Sequence, residues 1–252
     1  MWNTLGLWDL KINNLKLKEI FKIEKVKLIY CALFEPNFMK GRGNTEDWPN
    51  LNRYHNENAA LKPAAQKEKR IVFMGDSITE FWSTVHPEFF IGQSYVNRGI
   101  SGQTTPQMLL RFRADVIALR PNIVIIHAGV NDIAGNTGTM TTEMIRDNIF
   151  SMIELANSHD IKVILGSVLP AYDFPWRPNQ DPIEKITALN EILKNYAKKN
   201  DIVYLDYYSA MADERKGLKS EFSNDGVHPN KAGYQVMMPL AEKAIAMTLL
   251  KK

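Results

Sequence analysis

The chain has 252 residues, 45% of them hydrophobic, enough apolar side chain for one domain with an extension or at most two small domains. Thirty-one basic residues against twenty-eight acidic ones leave a dispersed net charge of +3, so nucleic acid is not an expected partner. A single cysteine, Cys31, excludes an intramolecular disulfide framework and offers no metal-ligand spacing.

Residues 1–43 differ from the rest. "KINNLKLKEIFKIEKVK" is rich in lysine and has only a rough helical spacing through Ile12, Leu15, Ile23 and Val26, which reads as an N-terminal extension or an unprocessed leader. A membrane-surface helix is the alternative for those lysines. "LIYCALF" (28–34) has the look of a short signal-peptide core behind Lys25 and Lys27, but it stops at Glu35-Pro36 and no small-x-small cleavage site follows. It falls far short of the roughly eighteen apolar residues of a transmembrane segment, and no other run comes closer. Residues 44–69, entered through the Gly-, Asn- and Pro-containing "GRGNTEDWPN" (41–50), read as an irregular approach to a domain over 70–252.

From Arg70 onward, short β-branched runs alternate with longer segments of helical period, the pattern of a parallel sheet with crossover helices. Five runs are expected as strands: "IVFM" (71–74), "SYVN" (94–97), "IVIIHA" (123–128), "KVILGSV" (162–168) and "IVYLD" (202–206). Between them lie three apolar stripes: Met108, Leu109, Phe112 and Val116; Ile145, Ile149, Met152, Ile153 and Ala156; and Ile186, Leu189, Leu193 and Tyr196. A closing helix is predicted over 231–250, with Asn230 as N-cap and Pro239 as a kink. The result is an α/β fold whose function belongs at the carboxyl ends of its strands.

The polar residues collect there. "GDSIT" follows the first run, "RGISGQTT" the second, "GVNDIAG" the third and "NDGVHPNKAGY" the fifth. Ser77 alone is as well explained by a helix cap as by a nucleophile. Gly75 would permit a tight strand-to-helix turn that exposes the hydroxyl and aims backbone N–H groups at the same space. A nucleophilic serine needs a base, preferably a histidine held by a carboxylate. His55, His86 and His159 are expected at the surface, and His127, inside the third strand, reads as a core histidine. His228 follows Asp225 by three residues in a turn, so Asp225 could accept its Nδ1 proton and leave Nε2 for Ser77; an ordinary Asp-Gly turn is the competing reading. The backbone N–H groups of Ser77 and Gly102 and the side-chain amide of Asn131 are candidate oxyanion donors. A turn glycine and a helix cap would account for Gly102 and Asn131 equally well in isolation.

Taken in order, the four stretches resemble the signature blocks of the SGNH hydrolase superfamily, the GDSL-type esterases, lipases and acylhydrolases, over about residues 70–249. Its four namesake residues fall on Ser77, Gly102, Asn131 and His228; Ile78 stands where the first block usually has leucine. The resemblance implies a three-layer flavodoxin-like sandwich with a five-stranded parallel sheet of order 2-1-3-4-5. It also implies a carboxylic ester hydrolase in which Ser77 attacks, His228 is the base and Asp225 orients it, with no metal or organic cofactor.

The loop "PAYDFPWRPNQDP" (170–182) offers Tyr172, Phe174, Trp176 and Arg177 as walls of a substrate cleft, or as an irregular loop held by its own aromatics. Its aromatic and polar character favours a short-chain, acetyl ester on a carbohydrate or another polar alcohol. A lysophospholipase or thioesterase and a catalytically silent carbohydrate-binding relative are the alternatives. Neither a G-x-S-x-G elbow nor a phosphate-binding glycine loop occurs, which sets aside an α/β-hydrolase lipase and a nucleotide-binding module. The resemblance favours a periplasmic or secreted location and leaves a cytoplasmic one open.

Overall fold

The computed structural model describes residues 47–62 and 69–251. The lysine-rich segment, "LIYCALF" and Cys31 lie outside the described residues. Pro49–Lys252 form one compact unit.

Five strands, β1 (Ile71–Gly75), β2 (Tyr95–Gly99), β3 (Ile123–His127), β4 (Lys162–Gly166) and β5 (Val203–Leu205), form one sheet in the order β2-β1-β3-β4-β5, every pairing parallel. The expected order is therefore the observed one. Inside the sheet, β1 and β3 are buried at every residue and β4 at all but Lys162, whereas the edge strands β2 and β5 have half-buried positions. That gradient is why β1 and β3 read as unbroken apolar runs: a parallel sheet covered on both faces leaves its middle strands no polar side.

The helices are α1 (His55–Ala60), α2 (Ser77–Val85), α3 (Thr105–Asp115), α4 (Val130–Ile133), α5 (Thr142–Asn157), α6 (Pro182–Lys199), α7 (Tyr207–Met211) and α8 (Lys231–Leu250). Helix α3 packs on α5 and α5 on α6, while α8 packs on α2 and α7, giving the layers on either side of the sheet. The three apolar stripes are the packing faces: Met108, Phe112, Ile149, Met152, Leu189 and Leu193 are essentially sealed from solvent. Asn230 caps α8, its side chain accepting from the Gly233 N–H at 3.1 Å. On the α2 side, Phe73 sits in an aromatic cluster with Trp82, Phe89, Phe90 and Tyr95, ring centroids 5.3–5.8 Å apart.

The segment before the sheet is tied to its β2 edge. Tyr54 donates its hydroxyl to the Gly99 carbonyl, Asn58 donates to Asp115 at 2.7 Å and accepts from Arg98 at 2.8 Å, and the Pro49 carbonyl accepts from Gln103. Arg53 and Arg98 each hold a guanidinium 4.6 Å from the Tyr54 ring. These bonds reach the loop after β2, one wall of the site below.

Candidate active site

Parallel register brings Gly75, Gly99 and His127 level, so the loops leaving β1, β2 and β3 start side by side. Gly75 is required by space rather than by an unusual backbone angle: a Cβ there would lie 2.8 Å from the His127 carbonyl oxygen and would overlap Thr79. The absence of that Cβ lets the chain turn directly from β1 into α2. Asp76 caps the helix by accepting from the Ile78 N–H at 2.9 Å, and Ser77 is its first residue, 5% exposed. The serine hydroxyl thus sits at a helix N-terminus, where unpaired N–H groups favour negative charge.

The turn before α8, after β5 and α7 in the chain, delivers the histidine. Ser77 Oγ lies 2.9 Å from His228 Nε2, and His228 Nδ1 lies 2.7 Å from Asp225 Oδ2. Because a carboxylate can only accept, the Nδ1 proton points at Asp225 and the Nε2 lone pair faces Ser77. Asp225 Oδ1 also accepts the backbone N–H groups of Val227 and His228 at 2.9 and 2.8 Å. Burial acts against its charge, but the hydrogen bond and charge of His228 and these two N–H groups outweigh it and hold the carboxyl down at about 2. Ser223 closes the turn: its Oγ accepts from the Gly226 N–H at 2.9 Å and lies 2.8 Å from the His228 carbonyl oxygen. Phe81 and Trp176 flank the imidazole, with ring centroids 5.6 and 5.8 Å away.

The oxyanion candidates converge on the same edge. Gly102 has φ +75°, in the left-handed region where glycine is favoured, and its N–H finds no acceptor among the described residues. Asn131 is buried, donates one Nδ2 hydrogen to the Gln103 carbonyl at 3.0 Å and accepts at Oδ1 from Asn136 Nδ2 at 2.9 Å. The second N–H of its amide has no acceptor among the described residues. Below, the fully buried Arg111 binds the Gly75 carbonyl at 3.0 Å, the Gln103 side chain and Asp115, joining the loops that bear Ser77 and Gly102.

Two buried aspartates differ from Asp225. Burial pushes Asp132 up to about 6 against the Thr105 hydrogen bonds that favour its charge, and pushes Asp76 up to about 7 against the Ile78 N–H. His127 is held down at about 4 by burial, despite a backbone hydrogen bond to Ser167, and packs edge-on to Tyr207: it is a neutral core histidine. His55 and His159 are exposed. His86 corrects the surface expectation: it is 2% exposed, because the turn at Pro87–Phe89 folds it under α8, with Nε2 bonded to the Lys231 carbonyl at 3.0 Å and Nδ1 to Glu88.

The aromatic loop does not act as one wall. Trp176 stands beside His228, whereas Phe174 is completely buried beneath it at 5.4 Å. Arg177 donates to the Gly135 carbonyl, tying the loop to the segment after Asn131. Tyr172 is exposed and stacks under Arg215, beside a cavity of about 550 Å³ whose other lining includes Asp173, Asn179, Asp181 and Glu184. Neither Ser77 nor His228 lines that cavity.

Sequence reasoning missed Arg111, Gln103 and Asn136. Arg111 had a signal: it lies three residues after Met108 and four before Asp115, a charged residue on the apolar stripe of α3. Asn136, in "AGNTG", looks like any turn residue.

Fold and site together define the class: an α/β protein of flavodoxin-like strand order that gathers a serine, a histidine and an aspartate at the carboxyl edge of its sheet. The pattern of GDSL-like lipases and acylhydrolases matches residues 73–236. A structure from Bacteroides fragilis is 49% identical, covering 80% of this chain and 98% of its own, with a TM-score of 0.79. A GDSL-like lipase from Bacteroides thetaiotaomicron is also 49% identical, over 79% of this chain and 98% of that one, with a TM-score of 0.76. An acetylxylan esterase from Geobacillus stearothermophilus is 23% identical over 199 residues, 67% of this chain and 90% of the relative. The chain belongs to the GDSL-like lipase/acylhydrolase family. It is a carboxylic ester hydrolase.

Proposed function

We propose that the hydrolase works through an acyl-enzyme on Ser77 and removes short acyl groups, acetyl above all, from a carbohydrate or similar polar alcohol. The hydrogen-bonded chain from Ser77 Oγ through His228 to Asp225, at 2.9 and 2.7 Å, is the observation that carries the mechanism. His228 Nε2 takes the Ser77 proton as Oγ bonds to the ester carbonyl carbon, and Asp225 stabilises the imidazolium. The Ser77 and Gly102 N–H groups and the remaining Asn131 amide N–H receive the oxyanion. Collapse breaks the C–O bond to the alcohol, which leaves with the proton from His228. Water, activated by the same imidazole, then releases the acid and restores the serine.

The substrate class rests on the likeness to an acetylxylan esterase and on Trp176 beside His228, a flat apolar surface of the kind sugar rings stack on. In this reading residues 70–252 are the hydrolase domain, and Pro49, Tyr54 and Asn58 of the 44–69 approach segment brace its β2 edge.

A fluorophosphonate should label the folded protein at Ser77 with loss of fluoride, and a peptide map would locate the adduct; an unlabelled serine in active protein overturns the nucleophile. On 4-nitrophenyl esters from C2 to C12, kcat/KM should be greatest at C2, and acetate should be released from acetylated xylan. A maximum at C8 or longer would replace the carbohydrate acetyl ester by a lipid-like one.

A further inference from the structure

An asparagine amide is useful to an oxyanion only if its nitrogen faces the substrate, and the two orientations of such a group have the same shape. At Asn131 the choice is dictated by neighbours whose roles are chemically fixed. Trp176 Nε1–H can only donate, and it points at Asn136 Oδ1 at 3.3 Å. The Gly102 carbonyl can only accept, and it faces Asn136 Nδ2 at 3.3 Å. These two groups leave Asn136 one orientation, in which Nδ2 donates to Asn131 Oδ1 at 2.9 Å. The Gln103 carbonyl accepts from the other side of Asn131 at 3.0 Å, and the polarity of the chain is closed. Reversing Asn131 would set its oxygen against the Gln103 carbonyl and its NH₂ against that of Asn136. The Asn136 backbone N–H also donates to the Asn131 carbonyl at 3.0 Å, holding the two residues in register.

We propose that Asn136 is a positioning residue of the reaction: it fixes the direction of the Asn131 amide and couples it to the Gly102 loop and the Trp176 loop. Asn136 is exposed, and its side-chain bonds in the structure all go to residues of the site. The inference rests on the reading of Asn131 as an oxyanion donor, and the same experiment tests the two separately.

Single-turnover acylation by 4-nitrophenyl acetate would be followed from pH 5 to 9 for the full-length wild type, Asn131→Ala, Asn136→Ala, Asn136→Asp and Asn131→Ala/Asn136→Asp, with melting temperatures recorded alongside. Asn131→Ala should slow acylation ~10²–10³-fold. Asn136→Ala should slow it roughly 10-fold with KM little changed, within the ~10²-fold range that small misplacements of a reacting group produce. In Asn136→Asp an ionised carboxylate would face Asn131 Oδ1 and the Gly102 carbonyl and turn the amide away, a loss of about 10²-fold. Protonation would restore a donor, so the ratio of the Asn136→Asp rate to the wild-type rate should rise as pH falls; the ratio removes pH effects common to both proteins. In the Asn131→Ala background, Asn136→Asp should have little further effect.

A slow Asn131→Ala with wild-type rates for both Asn136 variants overturns the positioning role alone. An Asn136→Asp ratio independent of pH, or an equal loss in the Asn131→Ala background, assigns Asn136 to loop structure and also overturns it. A wild-type rate for Asn131→Ala overturns the oxyanion reading and the positioning role with it.

Discussion

Two aspartates flank the Ser77–His228 pair, one on each turn that carries it, and their surroundings give them opposite charge behaviour. Asp225, on the turn into α8, receives the His228 imidazole and two backbone N–H groups, and its carboxyl is held at about 2. Asp76, on the turn into α2, is sealed in the interior; one oxygen accepts the Ile78 N–H and the other has no hydrogen-bond partner among the described residues. Burial raises it to about 7, with Asp132 nearby adding to the shift. The number of donors, and not burial alone, decides the difference. Asp225 is a permanent anion suited to an imidazolium, while Asp76 caps a helix with an oxygen that works whether or not the carboxyl is ionised.

The comparison breaks most sharply at Asp225. Asn in its place keeps the size but presents an amide nitrogen or a neutral oxygen to Nδ1, so both the tautomer and the anion are lost; kcat for 4-nitrophenyl acetate should fall ~10³–10⁴-fold. A fall of less than tenfold would mean that His228 is held by something other than this carboxylate. Next is Ser223→Ala, which deletes the hydroxyl that accepts the Gly226 N–H and braces the His228 carbonyl. The Asp225–His228 bond itself remains, so kcat should fall only roughly 10-fold, the scale of a misaligned rather than missing group. Steady-state kinetics beside a melting curve would separate that loss from unfolding.

What the sequence made legible follows the distance over which each feature is encoded. Strands β1 and β3, the stripes of α3, α5 and α6, and the Asn230 cap are local patterns, and they lie where periodicity and capping chemistry predict. Ser77 stood out because its block directly follows β1 at the carboxyl edge of a parallel sheet, whereas Asp225 and His228 lie beyond β5 and α7 and stood out as a histidine three residues after an aspartate in a turn before the closing helix. Arg111, Asn136 and His86 depend on what a side chain meets far along the chain: a carbonyl at Gly75, a tryptophan at 176, a carbonyl at 231. Composition treats a buried arginine and a solvated one alike. The same limit applies to 170–182, where Phe174 and Trp176 are equivalent aromatics in the sequence, yet one is sealed in the core and the other stands beside the imidazole.

The smallest effect tests the other aspartate. Asp76→Asn retains the oxygen that caps the Ile78 N–H, and Asn caps as well as Asp, so kcat should stay near the wild-type value. Its consequence is in stability against pH. With a folded value of about 7 and a reference value of 3.8, native Asp76 holds a proton that the unfolded chain releases between those pH values. Its contribution is present in full below about 4 and is lost as pH rises towards and through 7. Asp132, raised to about 6, acts in the same direction; His127, lowered to about 4, and Asp225, lowered to about 2, act oppositely over their own ranges. All three remain in the variant, so the difference between the two proteins isolates Asp76 apart from its coupling to Asp132. The melting temperature of Asp76→Asn minus that of the wild type should rise between pH 5 and pH 8. A difference that stays flat would mean that Asp76 is ionised in the folded protein throughout, and the contrast with Asp225 would lie in geometry rather than in charge.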